Sequence, residues 1–376
     1  MNGLALTSRG LEDTAAYEIR ELINADCKTE DYTVLFDFKK FEDLCLLCYK
    51  CQSVDKILLL LGVFESSNIL DELGKFIDKL ELGDWLKSHR KFKIECVRLG
   101  IHDFNSTDVK AKACNFILEK FKNNKVKLDL KDYDIIFLIC IIDKKCYFGV
   151  DFAGIDLNKR SYKIFLHSGS LRGTVAYALI RECNFQKEDV MLDPFSRDGI
   201  LPIEAALYAS GFPVNYYNKE KFAFLKLKIG IDFEKFFHKI DKQIRKKSLS
   251  IFSYDHLFKF VDYSRKNAKI AGVDKNINFS RVELEWLDIK FKKESVDCII
   301  TSLPTSKNAN LDKIYNEFFY QSEYILKPDG RLALISKQTG LVIKHANKHN
   351  FVIAKEREIW SGEQPLKILL FEKKTI

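Results

Sequence analysis

Val190-Met-Leu-Asp-Pro-Phe-Ser-Arg-Asp-Gly-Ile-Leu-Pro-Ile-Glu-Ala-Ala206 reads as a strand, a tight turn and the start of a helix. Three apolar residues lead into Asp193, Gly199 closes the turn, and Pro202 falls in the first helical turn, where its missing N–H costs nothing. In a doubly wound sheet such a turn lies at the carboxyl edge, where ligands bind. A glycine there lets the backbone approach a ligand, and the Asp193 carboxylate can accept from a positively charged group. Taken alone the pattern also fits an ordinary β-α turn.

The segments downstream decide the fold class. Apolar strands at 249–254, 296–301 and 331–335 alternate with helical segments, as in a parallel α/β sheet with crossover helices. The strand at 249–254 ends in Asp255, at the strand tip where a carboxylate can clamp a ribose diol, and the helix after it is closed by Gly272. Asp288, ahead of the strand at 296–301, is placed to reach an adenine amino group. Each of these aspartates also fits a solvated loop, so their shared order and spacing carry the argument. After the 296–301 strand comes Ser302-Leu-Pro-Thr305, then a polar loop and a helix from about Leu311. A motif at that strand end faces the reactive part of a ligand across the crevice.

Upstream, residues 3–63 mix a helix at Leu11–Ile23 with the strand-like run Tyr32-Thr-Val-Leu-Phe-Asp-Phe38, a small α+β unit. A second α+β block covers 66–154. Its pattern predicts helices around Leu70 to Lys87, a strand at 92–98, a helix over 108–121 and a strand at 135–142, in a half-buried sheet covered on one side. A connector at Asn158-Lys-Arg-Ser-Tyr162 leads into the parallel block. No internal repeat or low-complexity segment appears.

A chain of 376 residues has room for two or three cores. The absence of a long apolar run and of an export-type leader predicts a soluble, cytoplasmic protein with no membrane partner. Ten cysteines scattered among apolar neighbours read as reduced core thiols. Cys45-Leu-Leu-Cys-Tyr-Lys-Cys51 has the spacing of a zinc or iron–sulfur ligand run but no fourth ligand nearby, so it reads as a packed helix and no metal is expected. A formal charge of +8 permits a polyanionic partner without demanding one.

Set together, these motifs resemble the THUMP-containing guanine N2-methyltransferases of tRNA and the related large-subunit rRNA enzymes. That family carries Asp-Pro-Phe-Cys-Gly-Ser-Gly-Thr before Ile-Pro-Ile-Glu-Ala-Ala, against Asp193-Pro-Phe-Ser-Arg-Asp-Gly-Ile-Leu-Pro-Ile-Glu-Ala-Ala206 here. The opening Leu4-Ala-Leu-Thr-Ser-Arg-Gly-Leu-Glu-Asp-Thr-Ala15 is similar to its ferredoxin-like subdomain. The run from Phe92 to Asp108 is similar to its THUMP core, and Lys159 to Arg172 to its joining segment. The resemblance implies a ferredoxin-like subdomain at 1–64, a THUMP RNA-binding domain at 65–155 and a doubly wound, Rossmann-like methyltransferase domain at 156–376. It implies S-adenosylmethionine as cofactor, with Ser170, Leu171 and Arg172 lining its pocket, Asp193, Ser196, Asp198 and Gly199 at its amino-acid end, Asp255 on the ribose and Asp288 on the adenine. The implied substrate is guanine N2 in structured RNA held by a monomer, with position 6 of tRNA preferred and another tRNA guanine or an rRNA site open. Lys91, Lys93, Arg98, Lys110 and Lys112 are the candidate phosphate contacts, with a second cluster at Lys242, Arg245, Lys246 and Lys247; any of these also fits a solvated surface. His167 lies beside the implied pocket, but a lone histidine near a turn is more often structural.

Two departures stand out. Arg197 occupies the position of the family's first turn glycine, with Asp198 in place of the following serine. The catalytic motif, in the family Asn or Asp, then Pro or Leu, then Pro, then an aromatic, is here Ser302-Leu303-Pro304-Thr305. The usual chemistry accepts both protons of the exocyclic amine on a side-chain oxygen and a backbone carbonyl while the aromatic stacks on the base. Ser302 can accept one bond, but Thr305 cannot stack, a loss on the order of 1–3 kcal/mol. The sequence therefore leaves two readings: an active enzyme with an unusual site, and a catalytically inactive RNA-binding paralogue of the same fold.

Overall fold

The computed structural model describes residues 1–87, 89–245, 248–305, 310–362 and 364–374. It contains two compact units rather than three: Met1–Thr7, Ala15–Leu157 and Asn218–Phe237 form one, and Ser8–Thr14, Asn158–Tyr217 and His238–Ile376 the other. The excursion at 218–237 joins the first unit through aromatic packing, with Tyr49 edge-on to Phe237 at 4.9 Å and to Phe222 at 6.4 Å. A reading based on order along the chain had no means of placing it there.

The first unit holds β1 (Asn2–Leu6), β2 (Cys27–Glu30), β3 (Thr33–Asp37), β4 (Lys56–Glu65), β5 (Lys91–Leu99), β6 (Lys127–Leu128), β7 (Ile135–Ile142) and β8 (Lys145–Asp151). They form one eight-stranded sheet, order β2-β3-β1-β4-β8-β7-β5-β6, so the segments at 1–64 and 65–155 share a single sheet. Residues of β7 are buried on both faces, which corrects the expected half-buried sheet. A run of eight apolar residues has no polar side to turn outward. Where helices are expected from about Leu70 to Lys87, the described residues hold one, Ile69–Lys79, which ends where Leu80 turns extended. The helix Ser106–Lys120 starts at an Asn105 cap, whose side chain accepts from the Thr107 and Asp108 N–H groups while Asp108 accepts from Asn105. Cys45 and Cys48 lie on the helix Phe41–Lys50, fully buried like Cys51 beyond it, and burial pushes all three thiols up.

The second unit holds β9 (Met191–Asp193), β10 (Ile251–Asp255), β11 (Ile277–Arg281), β12 (Val296–Ser302), β13 (Leu326–Ser336), β14 (Phe351–Ser361) and β15 (Gln364–Lys373). Their order is β11-β10-β9-β12-β13-β15-β14, with β9 to β13 parallel and β14 and β15 antiparallel. Alternate residues serve opposite cores: Met191, Cys298, Ile300, Ala333 and Ile335 face one cluster, Leu192, Ile299, Leu332 and Leu334 the other. Each fully buried aliphatic side chain contributes about 1.5–3 kcal/mol. The chain order reverses between β9 and β12, and a crevice opens beyond their carboxyl ends. No helix among the described residues is long and apolar enough to cross a membrane.

Candidate functional site

A cavity of about 980 Å³ lies at this switch point in the second unit. Its wall includes the connector residues His167 to Leu171, Arg197 from the turn after β9, Asp255 to Leu257 after β10, Val282 to Glu285 after β11, and Ser302 to Thr305 after β12. An adjoining recess, which shares His167, Ser170, Arg197 and Ser302 with it, is lined also by Asp193, Ser196 and Asp198. Four strand ends thus deliver to one place residues that lie far apart in sequence.

Asp193 is held at the base of the site. Its Oδ1 accepts from Thr301 Oγ1 at 2.6 Å, across the β9–β12 boundary, and from the Phe195 N–H at 3.2 Å. Burial pushes its carboxyl up to about 7, against the opposing pull of Thr301, Phe195 and Arg197. Asp255 is oriented by backbone: Oδ2 accepts from the Arg197 N–H at 3.1 Å and Oδ1 from the Leu257 N–H at 3.0 Å. Its carboxyl is raised by burial as well, as is that of Asp198. Ser196 Oγ is buried and has no hydrogen-bond partner among the described residues. Buried polar atoms of native proteins are normally satisfied, so this orphan is what a site shaped for a polar ligand shows. The cavity size, the orphan and the acidic rim fit a nucleoside bearing a charged amino-acid tail.

The turn itself departs from the expected use of its glycine. Gly199 is at φ +79°, and a Cβ there would meet Ser264 Oγ at 2.1 Å and its Cα at 2.9 Å. Gly199 does not line the cavity; it is required by close packing against the helix Phe258–Ala271, whose Ser264 bonds Ser253 of β10 at 2.8 Å. Arg197 is at φ +48°, the left-handed region that a side chain normally avoids.

Two further expectations are corrected. Asp288 is exposed and stands off the cavity wall; its N–H donates to Gln321 Oε1 at 3.0 Å. After β11 the chain passes the cavity at 282–285 and then tightens through the 3-10 turn Leu284–Trp286, so Asp288 falls beyond the rim, on the short helix Leu287–Lys290. Glu283 and Glu285 occupy the rim instead, two carboxylates that the sequence pattern did not single out. Ser170 and Leu171 line the cavity, but Arg172 starts the helix Gly173–Glu182, and its guanidinium lies toward Gly362.

The tetrapeptide Ser302-Leu303-Pro304-Thr305 lines the cavity in full. Leu303 N–H donates to Ile335 O at 3.2 Å and the Tyr315 hydroxyl donates to Pro304 O at 2.7 Å, which tie the loop to β13 and to the helix Leu311–Ile325. The polar loop that follows, 306–309, lies outside the described residues, as do Lys246 and Lys247. His167 also faces the cavity, its imidazole pushed down to about 4 by burial and by Arg197.

Residues the sequence reading did not single out brace this site. Asn267 Nδ2 donates to Asp198 O and Phe165 O, both at 2.9 Å, while its Oδ1 accepts from the Ile164 and Phe165 N–H groups. It staples the connector to the turn. Glu204, fully buried, accepts from Arg160 Nε at 2.6 Å and Nη2 at 3.1 Å and from the Tyr162 hydroxyl at 2.5 Å. A glutamate inside an apolar helix was the available signal.

In the first unit, three of the five candidate RNA contacts close on acids: Lys91 on Asp132 at 2.6 Å, Lys93 on Glu95 at 2.7 Å and Lys112 on Asp71 at 3.2 Å. Arg98 Nη1 meets His102 Nδ1 at 3.2 Å. Lys110 makes no hydrogen bond or ion pair among the described residues.

Residues 160–364 match the RMKL-like methyltransferase domain, and residues 67–151 match the THUMP domain. A tRNA (guanine(6)-N2)-methyltransferase of Methanocaldococcus jannaschii is 28% identical over 325 residues, covering 84% of each chain. An enzyme of the same name from Archaeoglobus fulgidus is 24% identical over 380 residues, covering 98% of this chain and 91% of its own. Among solved structures, SMU.472, a putative methyltransferase complexed with SAH, superimposes with a TM-score of 0.84 at 20% identity, over 100% of this chain and 98% of its own.

Proposed function

We propose, from the premise that this chain belongs to the RMKL-like methyltransferase family, that it methylates guanine N2 in tRNA, at position 6, with S-adenosylmethionine as cofactor. The observation that carries the reading is the meeting of Asp193, Arg197, Asp255, Glu283 and Ser302 around one crevice at the sheet's switch point. When bound, the cofactor supplies a methyl group made electrophilic by its sulfonium. Asp255 would hold the ribose diol, Glu283 the adenine edge, and Asp193 with the 196–198 turn the amino-acid end. At the end of β12, Ser302 Oγ would accept a hydrogen bond from one N–H of the guanine amine and a carbonyl of the tetrapeptide from the other, leaving the nitrogen lone pair free for attack, with the single proton released on methylation passing to solvent. Leu303 and Tyr315 hold that loop in place, so its carbonyls need no reorganisation as the reaction proceeds.

The THUMP region at 65–155 is the proposed RNA grip, with the ferredoxin-like segment at 1–64 beside it in sequence and the methyltransferase domain at 156–376. Lys110 leads the phosphate contacts, because Lys91, Lys93 and Lys112 must first leave their own carboxylates. The protein is read as a cytoplasmic monomer. The test is methyl transfer from labelled S-adenosylmethionine to unmodified tRNA, followed by nucleoside analysis. N2-methylguanosine at position 6 is the expected product. Cofactor and tRNA binding without transfer would identify the inactive paralogue instead.

A further inference from the structure

Arg197 presents an energetic puzzle. A non-glycine residue at φ +48° carries strain that glycine would remove, and strain of this kind persists where the side chain is needed. Arg197 lines both the main cavity and the recess, yet among the described residues its side chain makes no hydrogen bond and no ion pair. A cation drawn out of water without a partner is costly. The charges that act on it most strongly are Asp193, Asp255 and Asp198, so it stands beside an acidic stretch of the wall, while the wall's lysines, Lys313 and Lys337, come from other elements. That wall suits an ammonium and a sulfonium, and it would repel any carboxylate arriving with them.

We propose that Arg197 is the receptor for the α-carboxylate of the cofactor's methionyl tail, giving this chain a side-chain cation where its relatives use a glycine-rich backbone turn. The inference rests on the cofactor reading above. It explains why a costly residue occupies the turn, and why Ser196 Oγ, one residue away, is also buried without a partner. With the carboxylate on Arg197, Asp193 and Asp198 are free to face the positive groups of the tail.

The test is calorimetric titration of the full-length protein with S-adenosylmethionine and with decarboxylated S-adenosylmethionine, which lacks only the carboxylate. The wild type should prefer the complete cofactor by about 10- to 100-fold, the value of a charge-assisted hydrogen bond pair. Arg197→Gly should weaken the complete cofactor by a similar factor, leave the decarboxylated one within about threefold, and so nearly erase the preference. Arg197→Lys should retain part of it. Glycine suits the positive φ, so Arg197→Gly should melt no lower than the wild type, which separates lost binding from lost folding. Equal or tighter binding of the complete cofactor by Arg197→Gly would overturn the inference alone and mark the guanidinium as an obstruction. No binding of either compound by the folded wild type would overturn it together with the cofactor reading.

Discussion

Charge is handled in opposite ways in the two units. On the eight-stranded sheet and the helix beside β5, Lys91, Lys93 and Lys112 are partly exposed and each meets a carboxylate within hydrogen-bond distance. At the crevice of the second unit, Asp193 and Asp198 are buried and Arg197 is half-buried, and among the described residues none makes an ion pair. Partly exposed pairs contribute little to stability, about 0–1 kcal/mol each. Buried, unpaired charges oppose folding, so their persistence points to a counter-charge that arrives from outside. The difference separates charges that the protein satisfies by itself from charges left for a ligand.

The largest expected effect tests whether the buried set acts as that site. Asp255→Asn should weaken S-adenosylmethionine about 100-fold in calorimetry, since the clamp on two hydroxyls is lost. Asp288→Asn, exposed and off the wall, should change affinity less than twofold (roughly, at the level of surface changes). Equal losses for the two variants would break the contrast between rim and surface.

A smaller effect follows from Asp193, whose carboxyl sits at about 7. Cofactor affinity should fall as pH drops below that value, by at most about tenfold per unit, because the protonated acid no longer attracts the positive tail. Asp193→Asn should flatten this profile. The folding signature has the opposite sign. The native state binds the Asp193 proton more tightly than the unfolded chain does. The carboxyl therefore makes the ligand-free fold less stable as pH rises from its ordinary range, about 4, to about 7, with no further change above. A cofactor affinity that is flat from pH 8 to pH 6, roughly one unit either side of that value, would show that Asp193 does not face the charged tail.

The smallest effects belong to the first unit. Lys91→Ala should leave tRNA affinity within about twofold, because the ion pair with Asp132 already occupies the ammonium. Lys110→Ala should weaken it roughly three- to tenfold and lower the salt-dependence slope by about one. Filter binding across a salt series reads both, and a larger loss for Lys91→Ala would mean that the ion pair opens on RNA.

Much of the scaffold was readable before any coordinates. The strand at 135–142, the start of the helix at Leu311 and the turn after β9 all appear where apolar runs and breakers put them. The site was readable in part. Asp193 and Asp255 each end a strand and the 302–305 tetrapeptide begins on the last residue of one, and topology alone carries strand ends to the carboxyl edge. Asp288 failed because the distance from a strand end to the rim depends on how the next few residues coil, and the 3-10 turn at 284–286 consumed the offset.

By itself, the sequence determined the alternation of strand and helix and the identity of the residues at each strand end, because these follow from local periodicity and hydrophobicity. Only the tertiary structure decided that Gly199 serves Ser264 rather than a ligand, that Glu283 rather than Asp288 holds the rim, and that Arg197 stands unpaired among acids. Those facts depend on which chemically remote neighbours pack against a residue. Such contacts are set by the sum of many weak interactions across the fold, and no short stretch of chain encodes them.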